Sequence, residues 1–515
     1  MTHKLSREKE ERKDMKIHPN LLLLSLFITS VLSLCHSVTS AQLVPDFRVN
    51  DDLTNTLQFQ ANMGCDSSGN FVVVWSDRRG GNRSDIYCQR FDSNAIRYGN
   101  NFKANINPDS SFLPTVAVAS DGSFGLSWVE ILKDEYKQKL MLFNSSSVPI
   151  TAEIVLNESP PWFYSGPIIT VNSYKEYTIT WLQDRGIMFQ RIDSNGNRIG
   201  QNVRIITDTT LRYAEEPKIC TIGDGGFVIT WEAVHYPQIG FPDVYFQRFD
   251  RQGNRLGAMT KVNDDGQPQA DQRFPRIDGN SEGRFVIVWS DDRLGESEPY
   301  YQRFDTAGLP IGPNNNVCAV VTFNRGLGAV MMREDGQFLI GGEEFWPPYA
   351  PYFQKFSSTG WRINDPYKVT TQSPTAVKYA NSFKYFNDKL ICLWDDTRNG
   401  EFDVYCNILS YSNPDTTVSI HQVSSLVPDR FILEQNYPNP FNSSTIFKFH
   451  IKYSGIYSFK VYNSLGQVVS QIFNKKFAPG THKFTYTPDE LGSGVYFYEL
   501  SASDEKSIKK FVVLK

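Results

Sequence analysis

Histidine is scarce in this chain of 515 residues: seven occur, and three of them, His3, His18 and His36, lie in the first 41 positions. That leaves few candidates for histidine-based proton transfer or metal ligation. Cysteine is equally thin. Beyond position 41 there are Cys65, Cys88, Cys220, Cys318, Cys392 and Cys406, with no Cys-x-x-Cys pair and no neighbouring His of the kind a zinc site needs. A Gly-x-Ser-x-Gly elbow, a His-Glu-x-x-His helix and a Gly-rich phosphate loop are all missing, so no catalytic residue is singled out and no cofactor or metal is expected. Lys and Arg nowhere gather into a stripe, and the net charge is −4, which argues against nucleic acid as a partner. The apolar run Leu21–Leu34 has 14 residues, short of the ~20 that cross a bilayer. A membrane is therefore expected only in transit or as a surface to which the chain is attached.

The start of the chain reads as an export signal. A charged leader ending at Lys16 precedes Leu21–Leu34, and small residues follow at Thr39, Ser40 and Ala41. Residues 1–41 are expected to be removed, with Met15 as an alternative start. Cys35 stands where a lipoprotein cysteine would, but the bulky Leu34 before it opposes lipid attachment. In an oxidising compartment Cys392 and Cys406 are candidates to face each other across a hairpin; buried free thiols are the other reading.

What the sequence does contain is one unit written about seven times. Its clearest copy runs from Asp66-Ser-Ser-Gly69 through Phe71 to Trp75, Asp77 and Arg79, then Asp85-Ile-Tyr87-Cys-Gln89-Arg90-Phe91. The anchors Trp75, Trp128, Trp181, Trp231, Trp289, Gly342 in a tryptophan's place, and Trp394 stand 53, 53, 50, 58, 53 and 52 residues apart. Each unit holds four short β-branched or aromatic runs separated by Asp-Gly or Asp-x-x-Gly turns, whose residues tolerate positive φ. Four antiparallel strands per unit, repeated around a ring, describe an all-β fold: a seven-bladed β-propeller over residues 42–412. Phe47-Arg48-Val49-Asn50 resembles a fourth strand and precedes the first unit, so it is expected to complete the last blade beside Asp403–Leu409. Thr417–Ile420 is the competing closure.

Two features recur in the units. Arg79, Arg185, Arg293 and Arg398 stand four residues after a tryptophan, with Asp77, Asp184, Asp291 and Asp396 before them. They form either a ring of loop charges that grips a ligand or an internal pin in each blade; repetition in blade after blade favours the pin. The tryptophans end runs of strand hydrophobics, which favours core packing over sugar stacking. The Asp-x-x-Gly turns lack the further carboxylates of a calcium loop. Asp-x-Gly-x-Phe distantly resembles the Asp-box turn of sialidase propellers, itself a structural turn.

The last part of the chain differs. After a linker, 413–427, it reads Gln435-Asn436-Tyr437-Pro438-Asn439-Pro440-Phe441-Asn442, then Tyr462-Asn-Ser-Leu-Gly466-Gln, then Gly494-Val-Tyr-Phe-Tyr. About seven alternating runs between 428 and 515 suit a small Ig-like β-sandwich. These three motifs closely resemble the C-terminal sorting domain of proteins exported by the type IX secretion system of Gram-negative bacteria. The resemblance implies passage across the outer membrane, the type IX machinery as partner, and a secreted or cell-surface destination. The propeller segment carries no comparable motif. It is expected to bind an extracellular glycan or protein without catalysis, as in adhesion. The alternatives are a polysaccharide-acting glycoside hydrolase or sialidase-like enzyme, and a structural surface-layer component.

Overall fold

The computed structural model describes residues 42–52, 54–132, 135–157, 166–184, 186–206, 211–235, 241–264, 270–295, 297–317, 325–344, 351–370, 376–412, 431–463, 466–488, 491–502 and 505–514. The leader and the linker 413–427 lie outside them. Two compact units divide the chain, Met1–Pro414 and Asp415–Lys515.

The first unit is all-β and propeller-like. Seven four-stranded antiparallel sheets are found among its described residues. The first takes its strands in chain order: Gln58–Cys65, Phe71–Asp77, Asp85–Phe91 and Arg97–Lys103. One sheet breaks that order. Lys378–Phe386, Lys389–Asp396 and Asp403–Ser410 are completed by Gln42–Arg48 from the start of the chain, with Phe47 opposite Cys406 and Arg48 opposite Tyr405. The N-terminal segment thus joins the last sheet, entering at Gln42, earlier than its sequence pattern suggested; Thr417–Ile420 lies outside the described residues. Asp46 fastens it by accepting from Arg398 (3.2 Å), Thr370 (2.5 Å) and Asn407 (3.0 Å).

The first strand of each sheet touches the first strand of the next. The series runs Gln58–Cys65, Ser110–Val118, Ile168–Val171, Leu211–Ile222, Gln272–Gly279, Arg325–Met332 and Lys378–Phe386, and the last returns to the first. These are the inner strands. Second strands are covered on both faces because a sheet lies on either side. Phe71, Val73 and Trp75 pack with Ile391, Leu393 and Ile408 of one neighbour, while Val72 and Val74 pack with Phe124, Leu126 and Trp128 of the other. This explains an unbroken apolar run where one solvated face would have produced alternation. The six repeat tryptophans are fully buried, and truncating one costs roughly 3–5 kcal/mol. In the sheet where Gly342 replaces tryptophan, the next-door Gly341 leaves room for Phe383, whose ring lies 2.0 Å from where a Cβ would stand.

The cysteine pairing raised by the sequence is corrected by the register. Cys406 sits opposite Leu393, and Cys392 opposite Asn407. Offset by one, the two thiols point to opposite faces and enter different cores. The described cysteines are free; Cys318 lies outside the described residues.

The second unit has a three-stranded sheet, Phe431–Leu433, Thr445–Ile451 and Gly480–Tyr486, and a four-stranded one ordered Val468–Phe477, Gly455–Tyr462, Gly494–Ala502, Glu505–Val513. Both feed one core containing Phe447, Phe449, Phe459, Tyr498 and Phe511. Phe447, Phe449 and Ile451 point inward while their neighbours do not, the alternation of a sheet with one buried face. The bonds before Pro438 and Pro440 are cis.

A candidate active site at the inner strands

The repeated loop charges are turned inward. Trp75 Nε1 donates to Asp77 (2.8 Å), and Arg79 Nη2 donates to the same carboxylate (2.8 Å) and Nη1 to Asp51 (2.7 Å), with the guanidinium 4.1 Å above the Tyr87 ring. The trio recurs as Trp289, Asp291 and Arg293 over Tyr300, and as Trp394, Asp396 and Arg398 over Tyr405. The carboxylates of Asp77, Asp291 and Asp396 are fully buried. They anchor an indole and an arginine within their own sheet, which is the geometry of a pin. Arg185 lies outside the described residues.

The tail motif is split by burial. Asn436 and Phe441 are buried, Asn439 is half-buried, and Tyr437, Pro438, Pro440 and Asn442 are exposed. Gly466, at φ 78°, closes a turn onto Asn463 (3.0 Å), and Gly494 opens a strand.

A different set of residues gathers at the inner strands. Several of these strands bulge near their starts, where the register slips between Phe59 and Asn62, Phe112 and Thr115, Glu215 and Lys218, and Arg273 and Arg276. At each slip one residue is left-handed: Gln60 (φ 58°), Leu113 (55°), Glu216 (51°) and Phe274 (55°); Tyr213 (52°) marks a second slip in its strand. For bulky side chains this conformation costs about 1–2 kcal/mol per residue, and a bulge re-aims the side chain it carries. Leu113, Glu216 and Phe274 each precede a proline, which disfavours the right-handed helical region. The backbone feature repeats while the side chains do not, the reverse of the Asp–Arg pins.

Bulged amides need acceptors, and side chains of neighbouring strands supply them. Gln60 N–H donates to Asp395 (2.9 Å), Leu113 N–H to Gln60 Oε1 (3.0 Å), and Phe274 N–H to Glu232 Oε2 (2.5 Å). Asp395 and Glu232 each follow an anchor tryptophan by one residue. Glu232 is 3% exposed. Burial pushes its carboxyl up to about 7; the Phe274 amide opposes the shift, Glu216 adds to it, Arg273 opposes and Glu215 adds. Arg273 Nη1 stands 3.9 Å from Glu232 Oε1 and its Nε donates to Asp271 (2.9 Å).

Glu216 has the opposite environment. Lys218 Nζ lies 2.8 Å away and, as the main cause, holds this carboxyl below the ordinary glutamate range, against the effect of burial. Two interacting glutamates with acidities driven in opposite directions are the pattern from which acid and base roles are assigned. Tyr213 and Phe274, on the same two inner strands, are 48% and 47% exposed; both present aromatic surface. None of this group was singled out from sequence. The only signal in the sequence is the recurrence of residue-plus-proline pairs at Leu113-Pro114, Glu216-Pro217 and Phe274-Pro275. Among the described residues no three His, Cys, Asp or Glu side chains converge to hold a metal ion.

Residues 435–514 match the family described as the secretion system C-terminal sorting domain. That segment is a type IX sorting domain; export through the type IX machinery and a secreted or cell-surface location follow. No curated protein matches the chain. Among solved structures it is similar to an ulvan lyase of polysaccharide lyase family PL25, at 12% identity and TM-score 0.49, covering 72% of this chain and 95% of that one. It is also similar to the α-L-arabinofuranosidase Arb93A from Fusarium graminearum, at 12% identity and TM-score 0.42, covering 73% and 99%. A third is the β-propeller domain of the trilobed protease from Pyrococcus furiosus, at 8% identity and TM-score 0.43, covering 70% and 99%. The expectation of a propeller that binds without catalysis is corrected here, since a polysaccharide lyase and a glycosidase stand among the similar structures. The physical reason is that missing motifs excluded histidine, metal and serine chemistry only. Carboxylates drawn from separate strands leave no local motif.

Proposed function

We propose that this exported chain, delivered by its type IX sorting domain, is a glycoside hydrolase acting on an extracellular polysaccharide. The observation that carries the reading is the opposed pair Glu232 and Glu216. Glu232, buried and substantially protonated near neutral pH, serves as general acid to the glycosidic oxygen. Glu216, kept ionised by Lys218, serves as base or nucleophile. Arg273 orients the Glu232 carboxyl, and Tyr213 and Phe274 offer stacking surfaces for sugar rings. Within this reading residues 42–412 form a seven-bladed propeller of ~53-residue repeats closed by Gln42–Arg48, and 1–41 are a cleaved signal peptide. Residues 413–427 are a linker and 428–515 an Ig-like β-sandwich. The closed cycle of inner strands and the two sheets sharing one core support these assignments.

The test is depolymerisation of neutral and anionic polysaccharides by the purified full chain, read as new reducing ends. Glu232→Gln and Glu216→Gln should each lower the rate at least a hundredfold. Asp395→Asn removes the charge from the equivalent cap elsewhere in the ring and should leave the rate within threefold. Equal losses in all three variants, or none in the first two, would refute the assignment.

A further inference from the structure

The split burial of the tail motif calls for an explanation that folding alone does not supply. In the four-stranded sheet, Glu505–Val513 pairs with Gly494–Ala502 on one side and is an edge on the other. Edge strands present unpaired N–H and C=O groups and need covering. The motif supplies the cover. Phe441 N–H donates to Val512 O (3.1 Å) and Leu514 N–H to Phe441 O (2.8 Å), while Asn439 Oδ1 accepts from Val512 N–H (2.9 Å). Gln435 and Asn439 side chains both donate to Lys510 O, at 2.9 and 3.3 Å. Phe441 packs its ring 5.7 Å from that of Phe511.

The other flank is fixed as firmly. Tyr437 and Ile446 exchange backbone bonds at 3.1 and 3.0 Å. Asn436 N–H donates to Tyr498 Oη (3.0 Å), and its Nδ2 donates to Pro438 O (3.1 Å) and Thr445 Oγ1 (2.9 Å). Asn436, Asn439 and Phe441 are therefore accounted for by the fold. Tyr437 is not: its backbone is held on both flanks while its ring is 80% exposed, where it adds nothing to the core.

An aromatic ring displayed on a fixed backbone suits recognition. Tyrosine combines apolar area with a hydroxyl, and a prearranged loop loses little freedom on binding. We infer that the rim Tyr437, Pro438, Pro440 and Asn442 is the surface that the secretion machinery reads, and that Asn436, Asn439 and Phe441 hold it in position. The sorting-domain match over residues 435–514 names the partner class, and the inference stands apart from the Glu232 assignment.

The experiment uses the full chain in a host with the type IX machinery, comparing Tyr437→Ala and Asn436→Ala with wild type. Cell fractions report export, and thermal melting with limited proteolysis of the purified chains reports folding. Tyr437→Ala should melt and resist protease as wild type does, yet fall at least tenfold in the external fraction and accumulate in the periplasm. Asn436→Ala should lose protease resistance and export together. Wild-type export of Tyr437→Ala would overturn the inference, as would a loss of its protease resistance equal to that of Asn436→Ala, which would make the ring a structural element.

Discussion

Replacing Glu232 by glutamine tests its environment through stability alone, without knowledge of the substrate. The carboxyl has an ordinary value of 4.5 and is raised to about 7 in the folded chain. Between these limits the folded state holds more proton than the unfolded state, so the stability this group contributes is fully present below pH 4.5 and is lost as pH rises through 7. A shift of that size corresponds to about 3 kcal/mol, at 1.36 kcal/mol per unit. Glutamine keeps the Phe274 N–H bond through its Oε1 and removes the titration. The variant should therefore lack the stability decline that wild type shows between about pH 4.5 and 7, and should be the more stable protein at pH 8 by on the order of 3 kcal/mol. The assay is urea unfolding across this range, followed by tryptophan fluorescence. None of the nine tryptophans lies beyond residue 430, so the signal reports the first unit without the second. Parallel stability curves for variant and wild type would refute the raised pKa of Glu232 and, with it, the acid role.

Other perturbations probe the frame around the site. Asp291→Ala takes the acceptor from the buried Trp289 indole and leaves Arg293 only its outer partners Asp264 and Asn314, and should lower stability by about 3 kcal/mol, read as a drop in the urea midpoint; Glu282→Ala, on an exposed carboxylate, should change it by less than about 0.5 kcal/mol. Asp46→Ala removes the acceptor shared by Arg398, Thr370 and Asn407 and should open the closing strand, seen as faster amide exchange across Gln42–Arg48 and Asp403–Ser410. Gly69→Ala meets both a φ of 82° and the Phe386 ring 2.2 Å from the new Cβ, and should cost about 1–3 kcal/mol by overpacking. Cys392 and Cys406, pointing to opposite faces with thiols raised by burial, should stay unpaired under mild oxidation and react with thiol reagents only on unfolding.

What could be read beforehand was whatever the repeat copies. Trp75, Trp289 and Trp394 with their Asp and Arg partners recur at fixed spacing because each sheet solves the same packing problem. The tail motif was legible for a related reason: one short stretch both covers a strand edge and turns the chain between sheets. Glu232 was not legible. Its position, one after a tryptophan, is occupied elsewhere by Ser76, Val129, Leu182, Ser290 and Asp395, so no pattern marks it. Its weakened acidity is set first by burial, which the Phe274 amide and Arg273 of the following sheet oppose and Glu216 across a bulge reinforces, surroundings that exist only after folding. The bulges were hidden because slipping the register by one residue alters no composition. The same one-residue offset separates Cys392 from Cys406.

The central claim, that this is a polysaccharide hydrolase using Glu232 as its acid, is met most directly by the pH dependence of kcat/KM on whichever polysaccharide the full chain depolymerises. Such a profile reports the essential groups of the free enzyme. Activity should fall above a limb near pH 7, where Glu232 loses its proton, and Glu232→Gln should be inactive throughout. A wild-type rate that keeps rising through pH 7 to 9, or a Glu232→Gln chain with an unchanged rate, would contradict it.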